Sequence, residues 1–188
     1  MKYAVPKEQM LQAKHPHELF LINLIFNHIL LFVAFISASS LQHFVVVVPL
    51  ISSLILSYTL WRSRRSRLID PWFVMCHWQV AARRSRLFLT MLGIMAVALV
   101  LLWILSEGQP KPQHWAFAGI AILPTMVTVL ALVIMESDAM HQAAHGMMPN
   151  WASERYPNPE ALLLDDESER TVAGVASEAT TDGEVHST

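Results

Sequence analysis

One cysteine, Cys76, stands in 188 residues, which excludes an internal disulfide and any metal site built from cysteine alone. Charge is also scarce: Asp, Glu, Lys and Arg supply 15% of the chain against 54% hydrophobic residues. The apolar residues gather into a few long blocks that no soluble core of this size needs, and the composition belongs to the membrane class. Missing too are a nucleophile with a base partner, a phosphate-binding loop and a dinucleotide fingerprint. There is no Cys-x-x-Cys for thiol redox chemistry, no pair of mid-span histidines for haem, and no mid-span acid of the kind that couples proton movement to export. His43 and His114, both expected at the outer surface, find no inner partners for a two-haem path. The arginines come without a recognition fold or interleaved aromatics, so nucleic acid is not an expected partner.

What is present reads as an all-α, polytopic membrane protein. Four apolar runs, at about 19–37, 44–60, 87–105 and 115–135, each approach the roughly 20 helical residues that cross a bilayer. A cleavable signal peptide is the rival reading of the first run, and Glu8, Glu18 and the polar residues at its centre oppose it. Residues 1–18 read as a cytoplasmic anchor along the membrane surface, with His15-Pro16-His17-Glu18 as a helix start. Asp70-Pro71 resembles an N-cap followed by a first-turn proline, so a helix is expected to begin there and continue into the third span. The fourth helix is expected to run through Glu136 to His145 until Gly146 and Pro149 stop it.

Orientation follows from the segment 61–86, which holds Arg62, Arg64, Arg65, Arg67, Arg83, Arg84 and Arg86 against one acid, Asp70. Basic residues near span ends are retained inside, so this linker and both termini are expected in the cytoplasm, at the inner membrane of a bacterium. Up to residue 135 the chain carries eleven Lys and Arg against four Asp and Glu; from 136 onward it carries two against eleven. A basic four-helix domain, 19–149, is thus joined to an acidic segment, 150–188, expected to be mostly disordered. Asn158-Pro159-Glu160 offers one short helix start, and Asp165, Asp166, Glu167 and Glu169 are placed to cover the arginines weakly and reversibly.

Three groups of residues are candidates for function. A polar layer near mid-membrane is expected from Asn23, Asn27 and His28 in the first span, Ser52 and Ser53 in the second, and Thr125 and Thr128 in the fourth. His28 leads it, because ionisable groups within spans face the interior and mark function, whereas Asn, Ser and Thr there commonly serve as packing hydrogen bonds. Asp138, His141 and His145 fall at i, i+3 and i+7 on one helix face, a spacing that suits a transition metal but lacks the glutamate of zinc peptidases. The seven arginines are candidates for contact with anionic lipid or an acidic partner, beside their topological role.

No cofactor is required by these residues. The leading expectation is a non-catalytic protein that acts by association, as an accessory or assembly subunit of a membrane complex, with lipid and other membrane proteins or itself as partners. A small transporter or channel working as an oligomer is the alternative. A metal-dependent enzyme using the Asp138, His141 and His145 face comes third.

Overall fold

Each apolar run forms a helix, and all four helices overshoot the run at the arginine-rich end. A computed structural model describes residues 1–109, 111–161 and 163. Helix α1, Lys7–Ile22, passes into a π-helical segment, Asn23–Leu31, and then into α2, Phe32–Ser37. A 3₁₀ segment, Ser39–Val46, leads into α3, Val47–Ile69. Helices α4, Trp72–Leu105, and α5, Pro112–Ala144, complete the bundle, and α6, Asn150–Arg155, is a short addition. Four of these stretches are long and apolar enough to cross a membrane, and the protein is a multi-pass membrane protein.

Burial follows helical period. On α5 the buried positions are Thr125, Val129, Leu132, Glu136, Ala139 and Ala143, alternating four and three apart, the stripe that packs one helix on its neighbours. On α3 the stripe includes Ser52, Thr59, Ser63 and Ser66, small side chains that let helices approach closely. The first three turns of α4, from Phe73 to Ala82, are instead buried almost all round. They form the centre of the arginine-rich end, where Phe73, Val74 and Trp78 pack with Tyr3, Met148 and Ala152. A second core lies within the spans, built on Phe20, Leu24, Leu56, Phe88, Leu92 and Leu132. On the outside, Leu54, Leu105 and Ile134 are more than 70% exposed, as lipid-facing side chains should be.

Three local expectations are corrected. The first helix does not start at His15 to Glu18: α1 starts at Lys7 and continues through Pro16. Ahead of it, Tyr3 N–H donates to Gly146 O at 2.9 Å and Met148 N–H to Met1 O at 3.0 Å. Gly146 makes this possible, because its φ of +68° suits glycine and a Cβ there would stand 2.9 Å from Tyr3 O. Asp70 is not an N-cap. Its carboxylate accepts two hydrogen bonds from Arg62, at 2.8 and 2.9 Å, and Pro71 holds the N-cap position of α4 without a side-chain cap. Third, the helix after residue 149 forms at Asn150–Arg155 rather than at Asn158, and this part of the acidic segment is docked: Trp72 Nε1–H donates to Tyr156 O at 2.6 Å. The acidic residues expected to cover the arginines, Asp165 to Glu169, lie outside the described residues, as does the remainder of the expected disordered segment.

Candidate functional site

The most elaborate polar arrangement joins residues that the sequence does not group. Glu136 extends the buried stripe of α5, four residues beyond Leu132 and seven beyond Val129. His17 lies on the buried face of α1 with Ala13 and Phe20, and His77 on the encased part of α4. All three are fully buried. His17 Nδ1 is 2.6 Å from Glu136 Oε2, and His17 Nε2 is 3.0 Å from His77 Nδ1. His77 Nε2 reaches the carbonyl of Met147 at 3.2 Å. Arg84 stands over the acid: its Nη1 is 3.2 Å from Glu136 Oε1 and donates its hydrogen bond to Met135 O at 2.9 Å.

Hydrogen-bond chemistry sets the proton content of this chain. A carbonyl closes one end and accepts only, so His77 Nε2–H donates to it. A neutral His77 then accepts at Nδ1 from His17 Nε2–H, leaving His17 Nδ1 to face Glu136. Three bonds need three protons, and two neutral imidazoles bring two. The third lies between His17 Nδ1 and Glu136 Oε2, either as an imidazolium donating to a carboxylate or as a carboxylic acid donating to an imidazole. Both forms keep every bond, so a proton can shift along the 2.6 Å contact without breaking the chain. With the proton on the ring, the carboxylate lies between two cations, the His17 imidazolium and Arg84.

This site was legible in part. The period that places Leu132 and Ala139 inward also places Glu136 inward, and a buried acid next to an apolar run demands a partner. Which histidine answers it depends on how α1 and α4 meet α5, which periodicity does not say.

The expected polar layer divides. Asn23 Nδ2–H donates to Ser52 Oγ at 2.8 Å, and Asn27 Nδ2–H donates to Val48 O at 2.8 Å and to Asn23 Oδ1 at 3.3 Å. His28 is buried beside them, edge-on to Phe88 with ring centroids 4.9 Å apart. The π winding accounts for this grouping. At roughly 100° per residue an α-helix would put His28 about 140° round from Asn23, whereas i to i+5 winding, at roughly 4.4 residues per turn, brings Asn27 and His28 both within about 50° of it. Ser53 and Thr128 instead donate to their own helices, at Pro49 O and Pro124 O. Thr125 is buried across the bundle.

Four of the seven arginines reach partners beyond their own helix. Arg62 binds Asp70 and lies over the Trp78 ring at 4.9 Å; Arg67 donates to Gln79 Oε1 at 2.9 Å; Arg83 lies over Trp151 at 4.7 Å; Arg84 serves Glu136. Arg64, Arg65 and Arg86 are exposed, as are Arg67 and Arg83; Arg65 lies over the Trp61 ring of its own helix at 5.8 Å, and Arg86 Nε–H donates to Ala82 O of its own helix at 3.4 Å. For Asp70, burial opposes its charge, yet the hydrogen bonds and charge of Arg62 outweigh that and hold its carboxyl below the usual carboxylate range.

The Asp138, His141 and His145 face is not drawn together. Asp138 accepts from Gln142 at 2.7 Å, His145 Nδ1–H donates to His141 O at 2.8 Å, and the two rings lie tilted at 37° with centroids 4.2 Å apart. Among the described residues no three His, Cys, Asp or Glu side chains are grouped to hold a metal ion. No protein-family model, curated protein or solved structure matches the chain.

Proposed function

We propose that the protein acts by association, as an accessory or assembly subunit in a bacterial cytoplasmic membrane, with the arginine-rich end and both termini in the cytoplasm. One observation carries this reading: the Glu136, His17 and His77 chain is sealed from solvent and ties α1, α4 and α5 together at that end. A conducting site needs a path to each side. Here Phe20, Leu24 and Phe88 fill the core between this chain and the layer around His28, and apolar packing of that kind holds helices rather than passing ions. What the tie supports is a rigid platform bearing exposed Arg64, Arg65 and Arg86, with Arg65 over the exposed Trp61 ring, a surface suited to an acidic segment of a partner or to anionic lipid.

Site-specific photo-crosslinking in intact cells tests the proposal. A crosslinker at position 65 or 86 should give a discrete adduct with another membrane protein, one that a crosslinker at position 113 does not give and that Arg64→Glu with Arg86→Glu abolishes. Adducts with lipid alone at all three positions would defeat it. A shifting proton between His17 and Glu136 favours the transporter as a second reading. Proton flux in protein-containing liposomes, present in the wild type and lost in His17→Gln, would establish that reading in place of the first.

A further inference from the structure

A cavity of about 310 Å³ lies between the π segment, the 3₁₀ segment and the facing parts of α3, α4 and α5, away from the arginine-rich end. Its wall is largely apolar, with Phe32, Met95 and Leu99, and its polar side chains are His28, His43 and Thr125. His28 is 3% exposed, and its Nε2 has no hydrogen-bond partner among the described residues. That is a costly state in a buried setting, since an unpaired polar group forfeits its hydration without return. The neighbouring winding makes the state harder to regard as incidental. A nine-residue π segment, Asn23–Leu31, is what turns His28 inward, and π winding is rare and concentrated at functional sites.

We propose that this cavity binds a membrane-soluble small molecule with an apolar body and an uncharged oxygen function, hydroxyl or carbonyl, that hydrogen-bonds to His28. The requirement for each part is physical. The volume stands at the small end of the roughly 300–1,000 Å³ found for small-molecule sites, so it takes a single ring or a short chain. The wall's apolar character selects a lipophilic body. His28 lies at the centre of the 19–37 run, where a charged group is costly and where a phospholipid headgroup, held at the interface, does not reach. An imidazole nitrogen donates or accepts according to tautomer, so a carbonyl or a hydroxyl each completes it. This site is separate from the Glu136 chain, and its occupancy does not depend on the association proposed above.

The test uses the full chain in lipid nanodiscs with three probes of equal tail: decyl-1,4-benzoquinone, 4-decylphenol and decylbenzene, each titrated at the same mole fraction in the bilayer. Binding is read by thermal shift and by the histidine side-chain ¹⁵N resonances. The two oxygenated probes should bind the wild type about five- to tenfold more tightly than decylbenzene, the value of one hydrogen bond, and should move one histidine signal that is missing in His28→Phe. That variant, which keeps the edge contact with Phe88, should bind all three probes alike, and His28→Gln should recover part of the preference. If His28→Phe does not fold, Leu99→Trp fills the cavity with His28 intact and should abolish binding of every probe. The preference between quinone and phenol tells which oxygen function the site takes. Equal binding of the three probes to the wild type, absence of binding, or an unchanged preference in a folded His28→Phe or Leu99→Trp variant overturns the proposal.

Discussion

Glu136 meets two different partners with its two oxygens, His17 at Oε2 and Arg84 at Oε1, and this separates charge from hydrogen bonding at the level of one side chain. Removing the acid leaves Arg84 beside an empty site and His17 Nδ1 without a partner; breaking a buried pair in this way costs about 3–5 kcal/mol. Glutamine keeps the shape: its amide donates to neutral His17 Nδ1, and its oxygen faces Arg84. Thermal unfolding in detergent should therefore rank Glu136→Ala well below Glu136→Gln, which should lose less than about 2 kcal/mol. Equal losses would mean that packing alone matters there. Asp70 provides a pH dependence with a definite sign. Its carboxyl is held below the ordinary range in the folded protein, so its contribution is present above the unfolded value, about 3.9, and disappears as pH falls through the lower folded value. The difference in stability between wild type and Asp70→Asn should be constant from pH 7 to about 5 and shrink toward pH 3.

At the scale of elements, the π segment is the least ordinary feature. Nine residues of wide winding bring Asn23, Asn27 and His28 to one side, and the same grouping is available to an α-helix that is one residue shorter. Deleting Phe26, which is 62% exposed, places the three polar residues at i, i+3 and i+4, neighbours on an α-helical face. The deletion should leave the protein folded, with the Asn23 to Ser52 bond intact. Asn27→Leu, which strips the bond to Val48 O without changing length, should cost about 1 kcal/mol, in the upper part of the range for interhelical bonds in membranes. A deletion that prevents folding would show that the winding serves the passage from α1 to α2 rather than the polar face.

For the molecule as a whole, the ends of the bundle differ in kind. One end gathers the N-terminal segment, the break between α3 and α4, and α6, and packs them around Phe73 to Ala82. At the other end, the connections are the 3₁₀ segment and the turn after Leu105, whose Pro110 lies outside the described residues. With the seven arginines of 61–86 at the first end, the positive-inside bias predicts that end in the cytoplasm. Single cysteines at exposed positions 65 and 40 in a Cys76→Ser background test this with a membrane-impermeant maleimide. Position 40 should label in intact cells and position 65 only after lysis; the reverse pattern would overturn the orientation.

The amino-acid sequence by itself determined the four spans, the continuation of three helices past the apolar runs, and the stop at Gly146, because each depends on local facts: length, hydropathy, or a φ that only glycine adopts freely. The pairing of Asn23 with Asn27 was legible for the same reason, four residues along one helix. Tertiary structure decided the rest. His17, His77 and Glu136 are 60 and 119 residues apart along the chain at their contacts, and no period links residues on different helices. It also decided which arginines have partners beyond their own helix: Arg62, Arg67, Arg83 and Arg84 look like Arg64 and Arg65 in a string of letters, and only the packing of α4 against α3, α5 and α6 gives them Trp78, Gln79, Trp151 and Glu136. Charge is a property of the residue, but its use depends on what the fold places within hydrogen-bond reach.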